Sequence, residues 1–127
     1  MNLLVDTHAM LWYAGGDDRL SKEARAAIEN SANTNYLSIA SWWEIAIKCS
    51  IQKIYLDIAF DVFMKDRIRE GFRILPIDPQ HLPMLTTLPF HHRDPFDRLI
   101  ISQAIMEAMP ICTGDDSFSR YDVQVIW

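Results

Sequence analysis

Apolar positions in this chain fall into short unbroken runs separated by longer stretches with helical spacing. Asn2 to Val5 shows no polar alternation, the pattern of a parallel strand buried on both faces, and predicts the centre of a sheet. Helical text follows through Tyr13 until Gly15-Gly16 breaks it. Ser21 then caps a second helix whose Ala24, Ala27, Ile28 and Ser31 share one face. Asn35 to Ile39 reads as the next strand. Ser41-Trp42-Trp43-Glu44 opens a third helix that stays apolar nearly all round to Ile51, which predicts cover on two sides. Phe60, Phe63, Met64 and Ile68 mark a fourth helix ended by Gly71, and Phe72 to Ile77 follows as a strand. Asp78-Pro79 and Asp94-Pro95 are both helix starts, an N-cap acid followed by proline at the first helical position. The first helix carries Leu82, Leu85 and Leu88; the second runs to about Met109. Pro110 to Thr113 is a strand, Asp115 to Tyr121 a short helix, and Val123 to Trp127 a last strand.

Strands alternating with helices imply right-handed crossovers, hence an α/β fold with a mainly parallel five-stranded sheet covered by helices on both faces. In such sheets ligands bind beyond the carboxyl ends of the strands. With 127 residues the chain fits one domain, residues 1–127, without repeat or linker. A net charge of −5 argues against gripping nucleic acid by phosphate neutralisation alone; cations or a local basic patch would have to offset the acids. Cys49 and Cys112 offer neither metal spacing nor a disulfide framework and are read as reduced thiols. The N-terminus lacks the basic region of a signal peptide and no apolar run reaches a membrane span, so a cytoplasmic location is expected.

Four acids stand at element ends: Asp6 after the first strand, Glu44 early in the third helix, Asp97 in the first turn after Asp94-Pro95, and Asp115 after Ile111-Cys112-Thr113. Each has an ordinary structural reading as well. Asp94 is a good N-cap and Asp97 suits the helix dipole, Ser41 and Glu44 match a capping box, and Asp6 and Asp115 can each cap the next helix. Capping does not require an acid at every such position, because serine or asparagine would serve. Carboxylates about 4 Å apart repel by roughly 4 kcal/mol per pair at an effective dielectric near 20, so a cluster needs protonation or a cation. Oxygen ligands select Mg²⁺ or Mn²⁺ over zinc, and Mg²⁺ accepts phosphate oxygens, which suits phosphodiester hydrolysis.

Asp6-Thr7-His8 through Leu11-Trp12, Ser41 with Trp43-Glu44-Ile45 and Lys48, His92-Arg93-Asp94-Pro95-Phe96-Asp97-Arg98, and Thr113-x-Asp115-x-x-Phe118 together resemble the PIN domain, in its VapC-like toxin group, in order and spacing from residue 3 to 127. The resemblance implies a three-layer α/β/α fold and an Mg²⁺-dependent endoribonuclease, Mn²⁺ being the other candidate. It also implies that Asp6, Glu44, Asp97 and Asp115 are the catalytic, metal-holding quartet. Asp115 is preferred to Asp116 by the T-x-D-x-x-F spacing, and Asp94 is kept as a cap. Thr7, Ser41 and Thr113 are candidates to anchor the acids or a water.

Hydrolysis by metal-activated water would leave a 3′-hydroxyl and a 5′-phosphate. The VapC-like group further implies an RNA substrate, a homodimer and a cognate VapB-like antitoxin, with Trp42 to Ile51 and Phe60 and Phe63 as candidate surface for either protein contact. His91, His92, Arg93 and Arg98 read either as phosphate contacts or as a solvated helix start. Trp12, Trp42 and Trp43 read as base-stacking or as core and dimer residues. The alternative function is a catalytically silent PIN-like module that binds RNA or protein. A receiver domain is disfavoured, since no lysine and closing helix follow the last strand. A haloacid-dehalogenase-like phosphatase is disfavoured too, since His8 stands where a second Asp is needed.

Overall fold

The computed structural model describes residues 1–127. Strands β1 (Asn2–Val5), β2 (Thr34–Ser38), β3 (Arg73–Leu75), β4 (Ile111–Cys112) and β5 (Val125–Ile126) form one sheet in the order β3-β2-β1-β4-β5, and every pairing is parallel. The unalternated run at the start of the chain is therefore the central strand, as its pattern predicts. Helices α1 (Thr7–Gly15), α2 (Lys22–Glu29), α3 (Ile39–Ser50), α4 (Phe60–Arg69) and α5 (Pro95–Glu107) provide the crossovers.

The pleat sends alternate residues of β1 into two separate cores. Leu3 and Val5, with Leu37 and Cys112, pack against Met10, Ala24, Ile28, Trp42, Ile45 and Phe63 from α1 to α4. Leu4 and Ile111 face the other way, onto Ile100, Ile101 and Ala104 of α5 and onto Phe118 and Tyr121. The register enforces this partition, since Leu4 pairs with Tyr36 and Ile111 while Val5 pairs with Leu37 and Cys112. Helices on both faces of a parallel sheet give the three-layer α/β/α arrangement.

Three local features depart from the pattern-based expectation. The second strand stops at Ser38, whose hydroxyl accepts the Ala40 N–H, so Ser38 caps α3 and Ile39 begins it. Ser41 and Glu44 consequently lie inside α3 and form no capping box. The leucine-bearing segment after Asp78 does not make one α-helix: it forms two 3₁₀ turns, Pro79–His81 and Pro83–Thr86, because Pro83 cannot supply the backbone N–H a continuing helix needs. Leu82 is left largely exposed while Leu88 is buried. The short helix expected after Asp115 is present, as a 3₁₀ turn at Asp116–Arg120 between caps Asp115 and Tyr121. Lastly, α3 is not covered all round, for Trp42 is buried whereas Trp43 is 60% exposed, set edge-on to Phe96.

Candidate active site

Asp6 follows β1 and caps α1, so its carboxylate is fixed by the strand-to-helix turn. Its Oδ1 accepts the Ala9 N–H at 2.7 Å, and its Oδ2 accepts the hydroxyl of Thr113 at the end of β4. Only 8% of the residue is exposed. Capping and clustering, weighed as rivals in the sequence, are here the same geometry, because the cap holds the carboxylate at the sheet edge.

Glu44 sits in the second turn of α3 and is also buried. Thr7 donates its hydroxyl to Oε1 at 2.8 Å, and Lys48, one turn further along α3, meets Oε2 at 2.8 Å. Thr7 anchors an acid as expected, whereas Thr113, expected to act near Asp115, gives its hydroxyl proton to Asp6 and accepts only the backbone N–H of Asp115. Lys48 gives Glu44 a counter-charge that Asp6 and Asp97 lack. Ser41, one turn before Glu44, is fully buried, and its hydroxyl oxygen has no protein partner.

Asp97 is held by the start of α5. Asp94 is the N-cap, accepting the Phe96 N–H at 2.8 Å and the Asp97 N–H at 3.3 Å, with Pro95 at the first helical position. Arg98 turns away from the mouth. Its side chain is buried, donates to the carbonyls of Leu85, Leu88, Pro89 and His92, and lies 3.8 Å from the centre of the Phe90 ring. Arg98 thus ties the segment before α5 to its first turn and is unavailable to phosphate; Arg93 and His91 remain exposed.

Asp115 leaves β4 two residues after Thr113 and caps the 3₁₀ turn through Oδ1, which accepts the Ser117 N–H at 2.9 Å. Its Oδ2 lies 3.0 Å from His92 Nε2. Gly114, between Thr113 and Asp115, is required by packing, because a Cβ there would stand 2.8 Å from the Trp127 ring. Ligand atoms of His92, Asp97 and Asp115 all lie within 4.8 Å of one another. Asp6 and Glu44 stand outside that tight group, yet their charges reach Asp97. His92 is the member that composition and periodicity did not single out, since a histidine just ahead of a helix start carries no periodic signal. Its place inside the H-R-D-P-F-D-R run was the available clue.

Electrostatics separate the acids. Burial, followed by the charges of Asp94, Glu44 and Asp6, raises Asp97 from 3.8 to about 7. Burial also raises Asp6, against the hydrogen bonds from Thr113 and Ala9. Asp115 is desolvated as well, but the hydrogen bonds from His92 and Ser117 outweigh that and hold it below the usual range. Burial and the nearby Asp6 push the Cys112 thiol, in β4, up to about 12. Two acids are thus held up in pKa at one sheet edge, chiefly by burial and, at Asp97, also by neighbouring carboxylates, and a cation there would favour their charged forms.

The remaining candidates are structural. Trp42 is a core residue, Trp12 is half-buried against Trp127, and His81 is buried between the Asp78 N–H and Glu107. No helix is long and apolar enough to cross a membrane. The largest cavity, about 460 Å³, is bordered by Leu11, Trp12, Tyr55 and Phe63 and includes none of the four acids.

The PIN domain family profile matches residues 3–124 of the chain that carries this geometry. Ribonuclease VapC22 of Mycobacterium tuberculosis is 31% identical over 114 residues, covering 89% of this chain and 86% of that one. Among solved structures, VapBC2 from Rickettsia felis, bound to a DNA fragment from its promoter, superposes with a TM-score of 0.71 at 15% identity, covering 98% of this chain and 97% of the other. VapBC-1 from nontypeable Haemophilus influenzae gives a TM-score of 0.68, also at 15% identity, with 98% and 96% covered. At such identities the structures speak to the fold.

Proposed function

The chain belongs to the PIN domain family, and from that premise we propose that it is a divalent-metal-dependent endoribonuclease, the toxin of a VapBC-type pair. The observation that carries this reading is the set of four carboxylates at one sheet edge, two of them held up in pKa. Asp6, Glu44, Asp97 and Asp115 are the proposed metal-holding residues. The donor set fits Mg²⁺, with Mn²⁺ as the alternative, because it consists of hard oxygens in a site short of positive charge. A bound cation supplies charge to the phosphodiester oxygens and lowers the pKa of the attacking water.

The protein's own part in hydrolysis is orientation. Thr113 and the Ala9 N–H fix both oxygens of Asp6, and Thr7 and Lys48 fix those of Glu44. Asp97 is placed by the Asp94 cap, which accepts its N–H and fixes the first turn of α5 that presents its carboxylate to the sheet edge. Attack by water does not require the ribose 2′-hydroxyl, so RNA preference rests on binding.

The proposal includes an RNA substrate, a VapB-like antitoxin partner, a homodimer, one domain spanning residues 1–127 and a cytoplasmic setting. Support for the partner comes from the solved relatives, which are toxin–antitoxin complexes. Exposed Trp43 beside Phe96 offers apolar surface for a second copy. The test is incubation of antitoxin-free protein with total cellular RNA and Mg²⁺, mapping new 5′ ends against an Asp6→Ala control. New 5′-phosphate ends made only by the native protein are expected. Identical cleavage by both proteins would refute the assignment, and absence of cleavage would favour a silent RNA- or protein-binding module.

A further inference from the structure

The ring of His92 lies between Asp115 and Tyr121, enclosed by Phe118 edge-on at 4.7 Å and Tyr121 stacked at 5.6 Å between centroids. Its Nε2 is 3.0 Å from Asp115 Oδ2 and its Nδ1 is 3.3 Å from the Tyr121 hydroxyl. That hydroxyl also accepts two backbone N–H groups, from His91 at 3.0 Å and from His92 itself at 2.9 Å. A phenol oxygen offers two acceptor sites and one proton. The two N–H groups fill both acceptor sites, so the only role left toward Nδ1 is donation of the phenolic proton. Nδ1 must then be the unprotonated nitrogen of a neutral ring, which puts the ring proton on Nε2, facing a carboxylate that can only accept.

From this count of donors and acceptors we infer that His92 is a positioning residue, locked by Tyr121 in its Nε2–H form and holding Asp115 for cation binding without itself being a ligand. Its nearness to Asp97 and Asp115 invites the opposite assignment, a nitrogen ligand in a mixed site. The hydrogen-bond count argues against that, since one ring nitrogen carries a proton and the other is occupied. Asp115 needs such a holder. Its side chain is 44% exposed, and an unrestrained carboxylate there would exchange rotamers freely. With Ser117 N–H on Oδ1 and His92 Nε2–H on Oδ2, the carboxylate plane is set while each oxygen keeps a second acceptor site. Tyr121 thereby couples the end of the Asp116–Arg120 turn to the segment that leads into α5. The consequence for cation binding rests on the metal-centre reading above; the tautomer does not.

Two measurements test the inference. In metal-free native protein, long-range ¹⁵N–¹H correlation spectra should show the His92 ring protonated at Nε2 with a hydrogen-bonded, unprotonated Nδ1; a proton on Nδ1 would overturn the lock. Mn²⁺ titration followed by electron paramagnetic resonance should give His92→Phe a dissociation constant about tenfold weaker than native. His92→Gln keeps a side-chain N–H donor at the right reach and should stay within about twofold. A His92→Phe protein that binds like native, or a His92→Gln protein as weak as His92→Phe, would overturn the positioning role. Nitrogen coupling from His92 in the Mn²⁺-loaded spectrum would show it to be a ligand and overturn it as well. Native protein that binds no Mn²⁺, while its His92 spectrum shows the Nε2–H form, would remove the metal-centre reading and with it the role in cation binding, leaving the lock in place.

Discussion

Replacing Asp97 by Asn removes a charge that the metal-free fold tolerates poorly, and the size of the effect can be worked from the site. Asp97 ionises near 3.8 in an unfolded chain and near 7 in the folded one. As pH rises between those values the unfolded state gives up a proton that the folded state keeps, so native stability falls, and the full penalty is present above the folded value. At about 1.4 kcal/mol per pH unit the ceiling is roughly 4 kcal/mol; because Asp97 retains contact with solvent, screening reduces this to about 2 kcal/mol. Asn carries no such penalty. In EDTA near pH 8, Asp97→Asn should therefore be about 2 kcal/mol more stable than native, or about 6 °C in melting temperature for a domain of this size. Near pH 4.5 the advantage should shrink below about 1 kcal/mol. Millimolar Mg²⁺ should raise the native melting temperature and leave the variant almost unmoved. Thermal and urea melts of both proteins at the two pH values, with EDTA and with Mg²⁺, are sufficient. An equal difference at both pH values, or an equal Mg²⁺ response, would refute the reasoning.

Three further outcomes are expected. Arg98→Met should lose about 3 kcal/mol in urea unfolding, because buried carbonyls from Leu85 to His92 lose their charged donor, with Arg98→Lys intermediate. Trp42→Ala should cost about 3 to 5 kcal/mol as a core cavity, whereas Trp43→Ala should change monomer stability by less than about 1 kcal/mol. Thr113→Val should cost about 1 to 2 kcal/mol, raise the Asp6 pKa further by removing a hydrogen bond to its charged form, and weaken Mg²⁺ binding measured by calorimetry.

Periodicity carried the architecture because burial on both faces of a parallel strand leaves an unmistakable run, as at Leu3-Leu4-Val5. Cap chemistry likewise placed α5, since Asp94-Pro95 permits little else. It failed at Ser41-Glu44, where a second serine three residues earlier, Ser38, takes the cap, and no local rule ranks the two. It failed again after Asp78, where regular leucines suggested a helix that Pro83 interrupts. Within the candidate site, the positions of the acids were legible, whereas their inequality was not. What separates Asp97 from Asp115 is burial and the partner on each oxygen, and both are set by residues distant in sequence. The inward turn of Arg98 was hidden for the same reason, as its four partners are backbone carbonyls in the Pro83–Thr86 turn and the loop after it, and a carbonyl leaves no mark in the sequence.

The hydroxyl contact between Thr113 and Asp6 joins residues 107 apart in the chain, across the pairing of β1 with β4. Contacts of such long sequence separation close late in folding, after the loop entropy of the intervening crossovers has been overcome. A nascent chain that has emerged only as far as Pro110 already carries Asp6, Glu44 and Asp97 but lacks Asp115, the clasp on Asp6 and the strand that aligns them. Cleavage activity would therefore be timed by synthesis itself, appearing only when β4 and the residues beyond it have docked.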